Sequence, residues 1–219
     1  MNVRSRNNRN LTITTNSHHR GLEVITSRGP LIVEYLDAIH EVMEEALNDY
    51  ARVFAFRVDL RVPASYECEL DTNVITRFIS SLKAKITADY YKKKRKYGRC
   101  HPCALRYVRV KEQRSGQTAH YHVALFLNND RFCAVGNYGA DSENLASRIK
   151  EAWASALGID KEGVGGSVHF PKNSWYLLDR VSGAQGSEFG KAFYRLSYLA
   201  KEDTKGFGDG SKWFGRSHG

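Results

Sequence analysis

Long apolar runs are missing from this sequence, and so is a cysteine framework. No uninterrupted apolar stretch approaches the roughly 20 residues of a membrane-spanning helix, so no membrane partner is expected. Met1 to Asn10 hold no apolar h-region, which reads against a secretory signal and for a cytoplasmic protein. Four cysteines in 219 residues do not make a disulfide scaffold. Cys100-His101-Pro102-Cys103 is a C-x-x-C without a second pair, so the thiols, with Cys68 and Cys133, read as reduced rather than zinc-bound. Nucleotide loops are lacking too. The motif G-x-x-x-x-G-K-[ST] is approached at Gly190-Lys191, but Gln185 stands at its first position and Ala192 at its last. Gly206-Phe207-Gly208-Asp209-Gly210 follows no expected strand and reads as a loop. Neither a nucleotide cofactor nor an ATP-driven motor is expected.

Positive charge is in surplus. Lys and Arg number 33 against 24 Asp and Glu, a net charge of +9, which favours an anionic partner, most simply nucleic acid. With 42% apolar and 26% charged residues the composition is that of a globular protein. The polar, aperiodic residues 1–29 read as a flexible arm, and 30–219 as a single domain.

Periodicity places the elements. An apolar stripe through Ile32, Tyr35, Leu36, Ile39, Met43 and Leu47 predicts a helix over 31–50. Phe54, Phe56, Val58, Leu60 and Val62 alternate with Arg57, Asp59 and Arg61, a half-buried strand over 53–62. A helix follows over 74–97, with Gly98 as its stop. Its last turns carry Lys92-Lys93-Lys94-Arg95-Lys96, which suits either a solvated helix end or phosphate contacts. Strands at 105–112 and 119–127 form a hairpin. A helix is expected at 142–157, short strands at 165–170 and 174–178, and a last helix at 188–201. The tail from Lys205 reads as Gly-rich, basic loop. The sum is an α+β fold: an antiparallel sheet with flanking helices against one face.

The chemistry concentrates in two places. His120 and His122 lie two apart on a strand and share a face, so both imidazoles can hold one divalent metal. A third ligand is needed. Glu112 supplies it if it pairs opposite His120, but that register puts Arg109 on the core side. Slipping by one residue buries Val108 and Val110 and turns Glu112 away, and a bulge would reconcile the two. Asp59 is the alternative ligand, or a group supporting one, or a salt-bridge partner of Arg57 or Arg61. His169, His101 and His18-His19 read as structural. On the last helix, Phe189, Ala192, Phe193, Leu196 and Ala200 account for burial, while Tyr194, Tyr198, Lys201 and Lys205 fall on another face. A tyrosine hydroxyl is a weak nucleophile at neutral pH. A metal on a phosphodiester and a lysine beside the phenol would make it a competent one.

Several stretches resemble the replication-initiation proteins of filamentous phages (inoviruses) and their prophage relatives of the YagK/YfjJ-like group, within the HUH endonucleases. They are Phe56-Arg57-Val58-Asp59-Leu60-Arg61-Val62-Pro63, Val108-Arg109-Val110-Lys111-Glu112, His120-Tyr121-His122-Val123-Ala124-Leu125-Phe126-Leu127-Asn128, and Ser197-Tyr198-Leu199-Ala200-Lys201 with Thr204-Lys205. Trp213-Phe214-Gly215-Arg216-Ser217 is similar to the family's basic end. The resemblance implies an HUH/Rep-like palm in which His120, His122 and Glu112 bind Mg or Mn. It implies Tyr198 as nucleophile, with Lys201 assisting. Tyr194 matches only the general two-tyrosine arrangement. It further implies nicking and rejoining of single-stranded origin DNA at a rolling-circle origin through a 5′-phosphotyrosine, in a bacterial host whose helicase unwinds the duplex. Arg57, Arg61, Lys92 to Lys96, Lys205 and Arg216 are the expected DNA contacts. The alternative is a non-catalytic DNA-binding regulator on the same fold, a decayed prophage protein.

Overall fold

The computed structural model describes residues 2–64, 66, 71–113, 118–137, 143–203, 205–206 and 212–218. Cys68, the hairpin loop at 114–117, Ser142, Thr204 and the glycine-rich residues 207–210 lie outside them. Eleven strands and four α-helices follow in order: β1 (Asn2–Arg4), β2 (Thr12–Thr14), β3 (His18–His19), β4 (Leu22–Glu23), β5 (Leu31–Ile32), α1 (Val33–Asp49), β6 (Arg52–Leu60), α2 (Val74–Tyr97), β7 (Arg106–Glu112), β8 (His120–Asn128), α3 (Leu145–Leu157), β9 (Val168–His169), β10 (Trp175–Asp179), α4 (Ser187–Ser197) and β11 (Phe214–Arg216). The fold is α+β, and its strands pair antiparallel.

The main sheet runs β10-β6-β8-β7-β11, with β9 pairing the far end of β6. β9 and β10 are thus two pieces of one edge strand, interrupted between His169 and Trp175. β8 is the central strand because it can be buried on both faces. Val123, Ala124, Leu125, Phe126 and Leu127 are each at most 1% exposed.

Helices cover both faces of the sheet, not one. Phe54, Phe56, Val58, Leu60, Tyr121, Val123, Leu125 and Leu127 pack under α2 and α3. Val53, Ala55, Val108, Val110, Ala124 and Phe126 pack under α1 and α4. The alternating polar side of β6 is therefore covered as well, and Arg57 and Asp59 extend the row begun by Val53 and Ala55. Within the α2/α3 layer Asp89 of α2 is buried against Arg131 and against Arg148 of α3, 2.7 Å away. A carboxylate with two guanidiniums satisfies charge that the apolar layer would otherwise reject.

Both ends of the chain differ from their expected loops. The N-terminal stretch carries β1 to β4. Ser5, Thr14 and Val24 are buried there, and β2 pairs β5 in a small sheet beside α1. The C-terminal tail adds β11 to the edge of β7, with Trp213 buried beside it. The last helix is shorter than its periodicity predicts. α4 ends at Ser197, and a 3₁₀ turn, Tyr198–Ala200, carries the chain on.

Candidate active site

β7 and β8 pair with Glu112 opposite His120, Val110 opposite His122 and Val108 opposite Ala124. Residues 108, 110 and 112 share one face by the two-residue period of a strand. No slip or bulge is therefore required for Glu112 to join the histidines while the valines are buried. Arg109 faces the α2 side, where its Nη1 donates to the Lys212 carbonyl at 2.5 Å.

Glu112, His120 and His122 converge at the end of β7 and the start of β8, with one ligand atom from each inside a 4.8 Å span. Glu112 Oε2 lies 3.5 Å from His120 Nε2 and 3.3 Å from His122 Nε2. Burial favours the neutral acid at Glu112. Contacts with His120 and His122 and the charge of Lys205 overcome it and hold the carboxyl well below the usual range. A carboxylate is thus ready at the point where both imidazoles meet.

Asp59, the alternative ligand, sits behind His122 instead. Its Oδ1 is 2.6 Å from His122 Nδ1, and Arg57 grips it through Nε at 2.7 Å and Nη2 at 3.2 Å. Burial raises the Asp59 pKa, but the bond to His122 and the charge of Arg57 outweigh it and bring it down to about 2. Arg57 Nη2 lies 2.9 Å from the same Nδ1; with the proton on Nδ1, Asp59 accepts it and the Nε2 lone pair faces Glu112. That Nε2 is buried and makes no hydrogen bond. Two imidazoles and a carboxylate, with a buried ring nitrogen that makes no hydrogen bond, form a group that could hold a metal ion.

Tyr198 closes the site from the 3₁₀ turn. Its ring meets the His122 ring edge-on, with centroids 5.7 Å apart, and the Arg57 guanidinium lies 5.0 Å from its centroid. Lys201 Nζ donates to the Tyr198 hydroxyl at 2.6 Å and reaches Glu112 Oε2 at 3.1 Å. The lysine therefore ties the phenol to the cluster. Ser197 fixes where the helix stops. It is fully buried, accepts from Ile25 N at 2.9 Å and donates to the Tyr194 carbonyl at 2.6 Å. Ser197→Ala should leave the Ile25 N–H without an acceptor and cost about 1–3 kcal/mol, read by urea denaturation.

Residues 14–217 match the family described as the YagK/YfjJ C-terminal domain. The chain belongs to the YagK/YfjJ family. It is 36% identical over 199 residues to the Escherichia coli protein YagK, covering 87% of this chain and 95% of YagK. It is 34% identical over 195 residues to E. coli YfjJ, covering 84% of this chain and 94% of YfjJ. Both relatives carry the name "uncharacterized protein", and no solved structure matches the chain.

The remaining expected residues of this YagK/YfjJ member scatter. Lys205 is no surface DNA contact: its side chain is buried against Glu112, with Nζ 3.4 Å from Oε1. Burial lowers its pKa to about 8, against the pull of Glu112. Arg57 is part of the cluster rather than a free phosphate contact. Arg61 is exposed just past β6. Arg216 pairs with Glu41 at 2.6 Å on the outer strand. Tyr194 is exposed and faces a groove with Leu22, Tyr176 and Lys191, on a different side of α4 from the cluster. The Lys92–Lys96 run ends α2, on the opposite layer and toward the opposite end of the sheet. Lys92 pairs with Glu143 and Lys93 with Asp89. No helix is long and apolar enough to cross a membrane among the described residues.

The role of Lys205 and the position of Arg57 between Asp59 and Tyr198 are what the sequence reading missed. Spacing carried a partial signal: Tyr198, Lys201 and Lys205 recur at three and four residues, although the chain is no longer α-helical there.

Proposed function

We propose that this protein is a metal-dependent strand transferase of the HUH type, nicking and rejoining single-stranded DNA at a rolling-circle origin of a phage or related mobile element. One observation carries the reading: a Tyr198 hydroxyl bonded to Lys201, which in turn reaches the carboxylate shared by His120 and His122. The resemblance to inovirus initiators supports it, as does the net charge of +9.

His120, His122 and Glu112 would hold the cation. Once bound, it would polarise a phosphodiester and offset its charge. Asp59 holds His122 in the tautomer that presents Nε2. Lys201 stabilises the phenolate of Tyr198, whose oxygen attacks phosphorus. The bond to the 3′-oxygen breaks, leaving a free 3′-hydroxyl and a 5′-phosphotyrosine. The phosphoester bond is conserved in that link, so a 3′-hydroxyl can later reverse the step and rejoin the strand without ATP. Unwinding falls to a host helicase.

A second reading has its own support. Lys201 and Lys205 already neutralise Glu112, an arrangement that suits a DNA-binding regulator with no need of a cation. The deciding experiment incubates the protein with single-stranded oligonucleotides tiled across its origin and Mn²⁺, then seeks a denaturation-resistant protein–DNA adduct. Absence of an adduct on a DNA that the protein binds specifically puts the regulator first.

Asp59→Asn supplies a narrower check. The amide cannot accept the Nδ1 proton as a carboxylate does, so Mn²⁺ affinity measured by calorimetry should fall about 10–100-fold. An unchanged affinity would make Asp59 a plain ion-pair partner of Arg57.

A further inference from the structure

The strongest feature outside the cluster is a cleft of about 580 Å³ at the β11 edge of the sheet, lined from α2, β7, the C-terminal segment and Ala38 of α1. Lys83 reaches it from α2, Arg109 from β7, and Lys212, Arg216 and His218 from the C-terminal segment. No acidic residue is among its described lining residues.

Arg109 makes the cleft more than a basic surface. It is 9% exposed, and its Nη1 donates to a neutral carbonyl, that of Lys212. Among the described residues no carboxylate pairs with it. The other arginines held in this protein's interior are treated differently: Arg57 is bonded to Asp59, and Arg148 to Asp89. Burial lowers the Arg109 pKa, and the nearby tyrosines Tyr121, Tyr107 and Tyr35 pull it back only in part. A buried guanidinium without a counter-charge is costly to keep, and an anion entering the cleft would relieve that cost.

The backbone is shaped around the same group. A Cβ added at Gly215 would lie 2.7 Å from Arg109 Nε and 3.0 Å from its Cζ. β11 can run this close to the guanidinium because position 215 has no side chain. From α2, Thr76, Ser80 and Lys83 present two hydroxyls and an ammonium along one face to the cleft.

We propose that this cleft binds the phosphodiester backbone of nucleic acid, as a second contact at the β11 edge of the sheet. Lys83 and Lys212 beside one forked guanidinium suit a run of phosphates, and a chain of +9 has the long-range field to attract a polyanion. The proposal does not rest on cleavage, since a protein with an inert tyrosine would keep this cleft.

The test is fluorescence anisotropy with labelled oligonucleotides in EDTA, where no cleavage is read, at several salt concentrations. Lys83 and Lys212 are both exposed, so Lys83→Gln/Lys212→Gln leaves the core intact. Affinity near 0.1 M salt should drop about 10-fold or more, and the slope of log K against log salt should flatten by about two. Arg52→Gln/Lys191→Gln removes the same charge at two exposed positions outside the cleft and should keep the slope. Equal losses in both variants, or none in the first, would overturn the proposal. A third arm adds inorganic phosphate or a mononucleotide as competitor. Displacement at the same phosphate concentration as unlabelled oligonucleotide would assign the cleft to small anions instead.

Discussion

Tyr198→Phe should eliminate the covalent protein–DNA adduct while leaving DNA binding nearly intact. Only the hydroxyl is lost, and the ring can keep its edge contact with His122. With the nucleophile gone, cleavage should fall on the order of 10⁴-fold or more. Tyr194→Phe is the matched control. That tyrosine is 43% exposed and lies on a different side of α4, so the first nick should survive its loss. If a second strand transfer uses Tyr194, closure alone would suffer. Mass spectrometry of the trapped adduct separates the cases, and a nucleotide on Tyr194 in the wild type would reverse the assignment.

His120→Ala/His122→Ala should abolish cation binding together with cleavage. Two of three ligands are removed, and Glu112 then faces only Lys201 and Lys205. Calorimetry with Mn²⁺ should show no saturable site, and cleavage should fall at least about 10³-fold. Thermal stability gives a readout free of DNA. At a hundredfold excess over the dissociation constant Mn²⁺ should stabilise the wild type by about 2.7 kcal/mol, and the variant should not respond. Full cleavage by the variant in chelator would sink the metal-site reading.

The cluster was legible in the sequence because strands and short helical turns have fixed periods. The two-residue step puts His120 beside His122, and the same step links Glu112 to Val110 and Val108. A sheet with a single buried face would set Arg109 against Glu112, whereas this one is covered on both faces. β8 held the correction: Ala124 and Phe126 are as apolar as Val123 and Leu125, as a strand covered on both sides requires. Lys205 was misplaced because a lysine beside glycines reads as surface, and its burial depends on Glu112, 93 residues away. The C-terminal strand gave almost no periodic signal, since three residues pairing an edge are too few to alternate. The hidden order of the N-terminal stretch has the same origin. Its strands span two or three residues and pair locally, while Ser5, Ile25 and Leu31 reach partners far along the chain.

That last point bears on when the protein can act. The turn that carries Tyr198 is held by the start of the chain. Ile25 N meets Ser197 Oγ across 172 residues, and Ser5 Oγ meets Glu202 across 197. Leu31 forms a bridge with Lys201, and Glu202 N donates to the Pro30 carbonyl. Contacts of such sequence separation close late, because most of the loop entropy must be lost before they form. During synthesis the sheet and its two histidines can assemble while the tyrosine is still unmade. Tyr198 then docks against a segment that left the ribosome first. A chain interrupted before residue 198 would hold Glu112, His120 and His122 without Tyr198, so under the proposed reaction unfinished copies of this protein would be unable to cut the DNA around them.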